Sequence, residues 1–464
     1  MQLEYGKTTI EFEVPEGRLL RVLNAHNIEL PSDEIECVKN AINNPIGSKK
    51  LSELVKPGMK VAIVTSDITR PFPTAKVLPL VIEELNSVGI PDKDIVTVFA
   101  LGSHRKHTEE EKKYLVGEEL YNRIECIDSD PNDCIHLGKT FKGTDVDIFS
   151  PVANADFIIC LGNIEYHYFA GYSGGAKAIM PGVSTPNAIQ QNHSMMIIPE
   201  SRAGNIDSPV RKDIEEAASM LGIDFIVNVV LDENKRIAFA VAGDYIEAHR
   251  VGCAFLDRLY GVKIHDKADI TIVSAGGFPK DLNLYQAQKA LDNSKDSVKD
   301  GGIIILLANC SDGFGNNTFE QWMTTKTNEE CIKDIKENFV LGGHKAAAIA
   351  KILETKRIFL VSNLDKELVK KIGLEPYETL DEAFEAATKI MGNDSKVFVI
   401  PHGSSLLPIY KERRRKLVLP KKKEEEVILC PCCGKPITWG VPHRGNGINT
   451  DEFKAEDIEK YLKK

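Results

Sequence analysis

With 464 residues, 42% of them hydrophobic and 27% charged, the chain is long enough for two hydrophobic cores, because single cores rarely grow past about 250–300 residues. A formal net charge of −10 removes the electrostatic footprint of a general nucleic-acid binder. No apolar run approaches the roughly 20 residues of a membrane helix, and the charged opening MQLEYGKTTIEFEV lacks the apolar centre of a signal peptide, so a cytoplasmic protein acting on small molecules is expected, with no membrane partner.

Along the chain, Ile10, Phe12 and Val14 first alternate with polar residues, which predicts an edge strand or hairpin. Short β-branched runs then recur at 61–65 (VAIVT), 95–100 (IVTVFA), 157–161 (FIICL), 270–273 (ITIV), 303–308 (IIILLA), 358–361 (IFLV) and 397–400 (VFVI). Between them, 75–87, 285–293, 344–354 and 380–391 carry helical periodicity, so the strands are read as parallel and helix-covered. Residues 225–231 and 237–241 flank Asp232-Glu233-Asn234-Lys235 as a hairpin.

The expected fold class is α/β, with two domains, each a mostly parallel sheet covered by helices, and the active site in the inter-domain cleft. The polar stretch KIHDKAD predicts a boundary there: an N-terminal catalytic and cofactor-binding domain over 1–264 and a C-terminal domain over 265–410. The strand near 397–400 is left free to pack back on the first domain. Residues 411–464 form a charge-dense extension with Cys430-Pro431-Cys432-Cys433, half of a zinc site without the second pair that would make the signal strong. The other seven cysteines are scattered and expected to be reduced.

Open α/β sheets bind ligands beyond the carboxyl ends of their strands, and four loops there are rich in chemistry. Ser66-Asp67-Ile68-Thr69-Arg70-Pro71 follows the run at 61–65, and Leu101-Gly102-Ser103-His104-Arg105 follows that at 95–100. The run at 157–161 leads through Glu165-Tyr166-His167 to Gly171-Tyr172-Ser173-Gly174-Gly175-Ala176-Lys177. The fourth loop, 274–281, opens the helix bearing Tyr285, Gln286 and Lys289. Histidines and an arginine at successive strand ends suit acid/base work on an anion, since imidazole titrates near neutrality and guanidinium matches a carboxylate.

Each residue also has a plainer reading. A lone histidine is more often a surface or structurally satisfied residue, Lys177 could be solvated or touch a phosphate, and three residues within one helical turn share a face by chance. The glycine-rich segment fails the strict phosphate-loop pattern because Ala176 precedes Lys177 and Ala178 follows it. A dinucleotide fingerprint after a strand is also missing.

Taken together, SDITRP (66–71), LGSHR (101–105), EYHYFAGYSGGAKAIMPGV (165–183), His193 in QQNHS and YQAQK (285–289) resemble the nickel-pincer-dependent lactate racemase family over residues 5–410. The resemblance implies a racemase or epimerase of a 2-hydroxy acid working by reversible hydride transfer. Lys177 would carry the pyridinium-3-thioamide-5-thiocarboxylic acid mononucleotide, His193 would bind its nickel, and His104 and His167 would be the acid/base pair. Arg70 would meet the hydroxyl or oxyanion. Asp67, Thr69, Glu165, Ser173, Gly174 and Gly175 would surround the cofactor, and Lys289, Gln286 and Tyr285 would grip the carboxylate. Enzymes of cofactor synthesis would be maturation partners, and a homo-oligomer is left open. Trp322 and His344 stand as further candidates at the pocket edge.

Two other readings are kept beside this one: a non-catalytic protein of the same fold that binds or senses a 2-hydroxy acid, and a zinc hydrolase using His104, His167 and His193. The last lacks any paired histidine spacing.

Overall fold

The computed structural model describes residues 1–411, so the Cys430–Cys433 turn lies outside the described residues. Strands and helices alternate through most of this length and build two six-stranded sheets.

The first sheet runs in the order Ile237–Gly243, Phe225–Leu231, Phe157–Asn163, Val61–Ser66, Ile95–Ala100, Glu125–Asp128. Its pairings are parallel except for the hairpin formed by the first two strands. Residues alternate between its faces: Ile63, Phe99, Ile159 and Val227 pack into one core, whereas Val64, Val98, Cys160 and Ile226 pack into another. Both faces are therefore buried, which explains why these strands read as continuous apolar runs rather than alternating ones.

The chain moves from Val61–Ser66 outward through two strands in one direction, then returns to place Phe157–Asn163 on its other side. Between the carboxyl ends of Val61–Ser66 and Phe157–Asn163 the topology reverses, and such reversals open the crevice where ligands bind. The loops leaving these two strands carry Asp67 and Arg70 on one side and Glu165 and His167 on the other.

The second sheet is parallel throughout, in the order Glu375–Tyr377, Arg357–Val361, Val298–Leu307, Ala268–Ser274, Val397–Ile400, Leu19–Val22. Two expectations change here. Val397–Ile400 does not return to the first domain; it lies between Ala268–Ser274 and Leu19–Val22. The N-terminal residues also belong with the second sheet: the hairpin Gln2–Tyr5/Thr8–Glu11 forms as predicted, but Leu3, Phe12 and Val14 bury into the core under that sheet, against Ile270, Ile305 and Phe359. Apolar area chooses the partner, and the second sheet leaves this face open for the hairpin to cover.

A short parallel pair, Gly261–Ile264 with Leu407–Tyr410, joins the end of the first domain to the end of the second. No helix among the described residues is long and apolar enough to cross a membrane.

Candidate active site

Asp67 begins the site. It is 2% exposed, its Oδ1 accepts from the Thr69 hydroxyl at 2.8 Å, and its Oδ2 contacts His104 Nδ1 directly. Burial alone would raise the Asp67 carboxyl, but the hydrogen bond and charge of His104, with Arg70 and Thr69, hold it below the usual carboxylate range. An ionised carboxylate only accepts, so Nδ1 of His104 carries a proton, and in the uncharged form of the ring Nε2 is the lone pair. His104 is 30% exposed, open to a ligand.

The loop 67–70 is held from behind. His107 Nε2 accepts from the Ile68 N–H at 3.0 Å, while its Nδ1 meets Asp128 at 2.6 Å, with both side chains almost fully buried. This histidine, three positions after His104, is a strut that sequence reasoning missed; the carboxylate that orients it lies on a distant strand. Arg70 leaves the same loop, and its guanidinium makes no hydrogen bond to any described residue. Its positive charge acts on Asp67, Glu165, His167, Lys177 and Lys345, acids and bases from both domains.

On the opposite side, the segment 165–177 folds back on itself. Ser173 donates to the Asn163 carbonyl and accepts from the Glu165 N–H, both at 2.8 Å, so its hydroxyl holds the loop together rather than reaching for a ligand. Gly171 sits at φ +76°, where a Cβ would lie 2.0 Å from the Asn205 carbonyl oxygen; only glycine allows this approach. Gly174, at φ +75°, would press a Cβ against Asn228 Oδ1 at 2.7 Å, and the Gly175 N–H donates to that oxygen at 2.7 Å. The Gly175 amide is therefore not free for a phosphate. Arg211, fully buried, donates to the carbonyls of Ala170, Tyr172 and Gly174 and clamps the loop.

Lys177 emerges from this clamp with no hydrogen bond to its Nζ among the described residues. Burial, then Arg70 and Arg211, hold its ammonium well below the usual lysine range, which favours a neutral, nucleophilic amine. His167 is also held neutral, by burial first and then by Lys177 and Arg70. Its Nδ1 accepts from the Ala170 N–H at 3.3 Å, so its proton sits on Nε2. His104 and His167 thus face opposite partners at Nδ1, a carboxylate for the first and a backbone N–H for the second.

The second domain closes the cleft. Lys289, on the helix Leu284–Ser294, meets Glu165 at 3.1 Å, and burial of Glu165 is outweighed by Lys289, Arg70 and Lys177, which keep it ionised. Tyr285 lies one turn earlier on that helix; Gln286 is exposed beside it and its side chain makes no hydrogen bond among the described residues. Lys345 was not foreseen. Its Nζ donates to the Tyr285 carbonyl at 2.5 Å and lies 4.0 Å over the Tyr285 ring, and burial followed by the charge of Lys289 brings it down to about 7. The Gly342-Gly343-His344-Lys345 stretch, two glycines opening the helix Gly343–Leu353, was the only signal available for it.

Aromatic side chains from both domains line the remaining wall. His167 stacks with Tyr168, Tyr168 with His344, and His344 with Phe339, whose ring meets His193 edge-on at 5.1 Å; Phe169 meets His193 from the other side at 4.8 Å. His344 therefore does edge the site, whereas Trp322 packs in the core of the second domain. His193 is 8% exposed, held neutral by burial and by Lys177, and makes no hydrogen bond through Nε2 among the described residues. Contacts and charge thus join Asp67, Thr69 and His104 through Arg70 to Glu165, His167, Lys177 and Tyr285, and these to Lys289 and His193. No group of three or more His, Cys, Asp or Glu side chains able to hold a metal occurs among the described residues, which removes the three-ligand zinc reading.

These features fit a covalently tethered nucleotide that brings its own metal. The Lys177 amine is unengaged and its basicity is depressed, which favours acylation, and one neutral histidine offers a free nitrogen within electrostatic reach of it.

Comparison with known proteins gives the same direction. The lactate racemase N-terminal domain matches residues 5–204 and the lactate racemase C-terminal domain residues 263–407. A lactate racemase of Lactiplantibacillus plantarum is 35% identical over 428 residues, covering 88% of this chain and 99% of that protein. One of Thermoanaerobacterium thermosaccharolyticum is 33% identical over 421 residues, covering 88% and 98%. The structure of the lactate racemase apoprotein from the latter organism aligns with a TM-score of 0.81 at 34% identity, over 89% of this chain and 99% of that one. A Thermotoga maritima protein shares the fold at a TM-score of 0.59 and 19% identity, over 81% of this chain and 98% of that one.

Proposed function

Because the chain belongs to the lactate racemase family of isomerases, we propose that it inverts the stereocentre of a small 2-hydroxy acid, with lactate the first substrate to test. The observation that carries this reading is the pair of imidazoles with opposite Nδ1 partners, Asp67 for His104 and the Ala170 N–H for His167, beside a lysine amine with no hydrogen-bond partner among the described residues. Inverting a carbinol centre by this route needs a base for the hydroxyl proton on one face and, for the return, an imidazole that has taken up a proton on the other.

When bound through Lys177, with nickel held by His193, the pincer nucleotide supplies a reversible acceptor for the α-hydrogen as hydride, which spares the site a carbanion beside a carboxylate. The chain's own residues do the rest. Lys289, with Tyr285 and Lys345 behind it, holds the substrate carboxylate, which exchanges with Glu165 for the ammonium. Arg70, free of hydrogen bonds, turns toward the hydroxyl oxygen and stabilises negative charge that develops there. His104 Nε2 takes the hydroxyl proton, and the Asp67 carboxylate stabilises the resulting imidazolium through Nδ1.

His167 serves the opposite face. Its low basicity comes from burial and then from the charges of Lys177 and Arg70. A bound carboxylate offsets the charge of Arg70, so loading the site returns His167 toward the range in which it takes up a proton and gives it to the returning hydroxyl oxygen. The 3.3 Å bond to Ala170 is long, and giving it up costs little. A protein that merely bound the acid would need the cationic wall but neither imidazole.

The test is a panel of single-enantiomer 2-hydroxy acids, lactate included, incubated with protein produced together with cofactor-synthesis enzymes and followed by chiral chromatography. Loss of optical purity that disappears in His104→Ala and His167→Ala is expected. Binding of an acid with no inversion by fully loaded protein would refute the catalytic reading.

A further inference from the structure

Behind His193 lies a buried polar chain that none of the roles above uses. Asp213, on the helix Pro209–Leu221, is 2% exposed, and Asn192, on the helix Pro186–Ser194, is completely buried. Asp213 Oδ1 accepts from the Thr140 hydroxyl at 2.5 Å, and its Oδ2 accepts from the Thr144 hydroxyl at 2.8 Å and from Asn192 Nδ2 at 2.7 Å. The second hydrogen of Asn192 Nδ2 goes to the Val210 carbonyl at 3.3 Å. Both partners of this amide nitrogen can only accept, so the orientation of Asn192 is dictated: nitrogen toward Asp213, oxygen toward His193.

Asn192 Oδ1 lies 3.0 Å from His193 Nδ1. An amide oxygen cannot donate, so the proton of a neutral His193 ring has to sit on Nδ1, and Nε2 is left as a lone pair. Phe169 and Phe339 hold the ring plane. The geometry points to Asn192 and Asp213 as positioning residues that lock His193 in the Nδ1–H form and thereby present Nε2 as the donor atom for the metal. Buried partners of this kind fix both tautomer and orientation of ligating histidines. Without the Asp213 carboxylate, only the 3.3 Å bond to the Val210 carbonyl holds the Asn192 amide; a half turn then offers its N–H to His193 Nδ1 and moves the ring proton onto Nε2, the nitrogen that the metal needs free.

The metal-facing half of this inference rests on the reading of His193 as the nickel ligand; the lock itself does not. The experiment separates them. Full-length protein with nitrogen-15-labelled histidine, free of cofactor, is read by long-range proton–nitrogen correlation, with the His193 signals assigned by their loss in His193→Gln. The Nδ1–H form is expected in the parent, and Asp213→Asn is expected to make the Nε2–H form the major one. Asn192→Leu, close to the same size but without the acceptor, is the second arm should Asp213→Asn fold poorly, and is expected to populate the Nε2–H form as well. In cofactor-loaded protein, nickel affinity measured by chelator competition should fall about 10–100-fold in these variants. A parent ring protonated on Nε2, or a tautomer unmoved by both substitutions, overturns the lock. A tautomer that shifts while nickel affinity stays constant upholds the lock and overturns the assignment of His193 as ligand.

Discussion

Glu165 and Lys289 meet across the cleft at 3.1 Å, tying the loop after the strand Phe157–Asn163 to the helix Leu284–Ser294 of the other domain. Each is 34% exposed, so water screens the pair and the bond is exchangeable rather than a fixed strut. A substrate carboxylate competes for the same ammonium. Lys289→Ala is expected to lower kcat/KM by about 10- to 100-fold, chiefly by raising KM, as loss of one hydrogen bond to a charged group of about 1.5–3 kcal/mol implies. Steady-state kinetics with the accepted acid check this; an unchanged KM would remove Lys289 from carboxylate binding.

Asp67→Asn keeps shape and burial while taking away the charge that orients His104. The carboxamide can offer N–H instead of accepting, turning the ring so that its Nε2 lone pair is lost. A fall in kcat of about 10²–10⁴ with little change in KM is expected. Thermal melting in parallel distinguishes this from unfolding, and a rate within about threefold of the parent would dismiss the dyad.

Lys345 introduces a pH dependence of definite sign. Burial and the neighbouring Lys289 bring its ammonium down to about 7, so the cation is present below that pH and lost as pH rises through it. KM for a 2-hydroxy carboxylate should accordingly climb with pH across about 7, and Lys345→Met should flatten that rise. The stability contribution runs the other way. Between about 7 and the ordinary 10.5, the unfolded chain holds the proton that the folded chain has shed, so folding stability gains with pH over that window. A KM profile indifferent to the substitution would place Lys345 outside the carboxylate wall.

Lys177→Ala and Lys177→Arg are both expected to abolish the cofactor mass increment in intact-mass spectrometry while leaving the protein folded. Arginine keeps a long basic side chain but no amine that can be acylated. An increment that survives either substitution would mean that the attachment point lies elsewhere.

Much of the scaffold was legible because buried parallel strands read as unbroken apolar runs, and 95–100 and 397–400 match their strands residue for residue. The site was legible where chemistry sits beside strand ends, as with Asp67, Arg70, His104 and His167. What stayed hidden was the support behind it. His107, Asn192, Asp213 and Arg211 look like ordinary polar residues in helices and loops, and each gains its role from a partner far along the chain: Asp128 for His107, Thr140 and Thr144 for Asp213, and the carbonyls of 170–174 for Arg211. Ser173 shows the converse. Its place in a glycine-rich loop promised a ligand contact, yet its hydroxyl is taken up by Asn163 and Glu165.

By itself, the order of residues determined the alternation of strands and helices, the presence of two apolar cores and the motifs that end on Lys177, because periodicity and local spacing are properties of neighbouring residues. Tertiary structure alone decided that the N-terminal hairpin covers the second sheet, that Lys345 joins the cleft, and which nitrogen of each histidine carries the proton. Those outcomes depend on which distant groups face one another after folding: apolar area finds whichever face is left open, and a ring nitrogen keeps or yields its proton according to the donor or acceptor set against it.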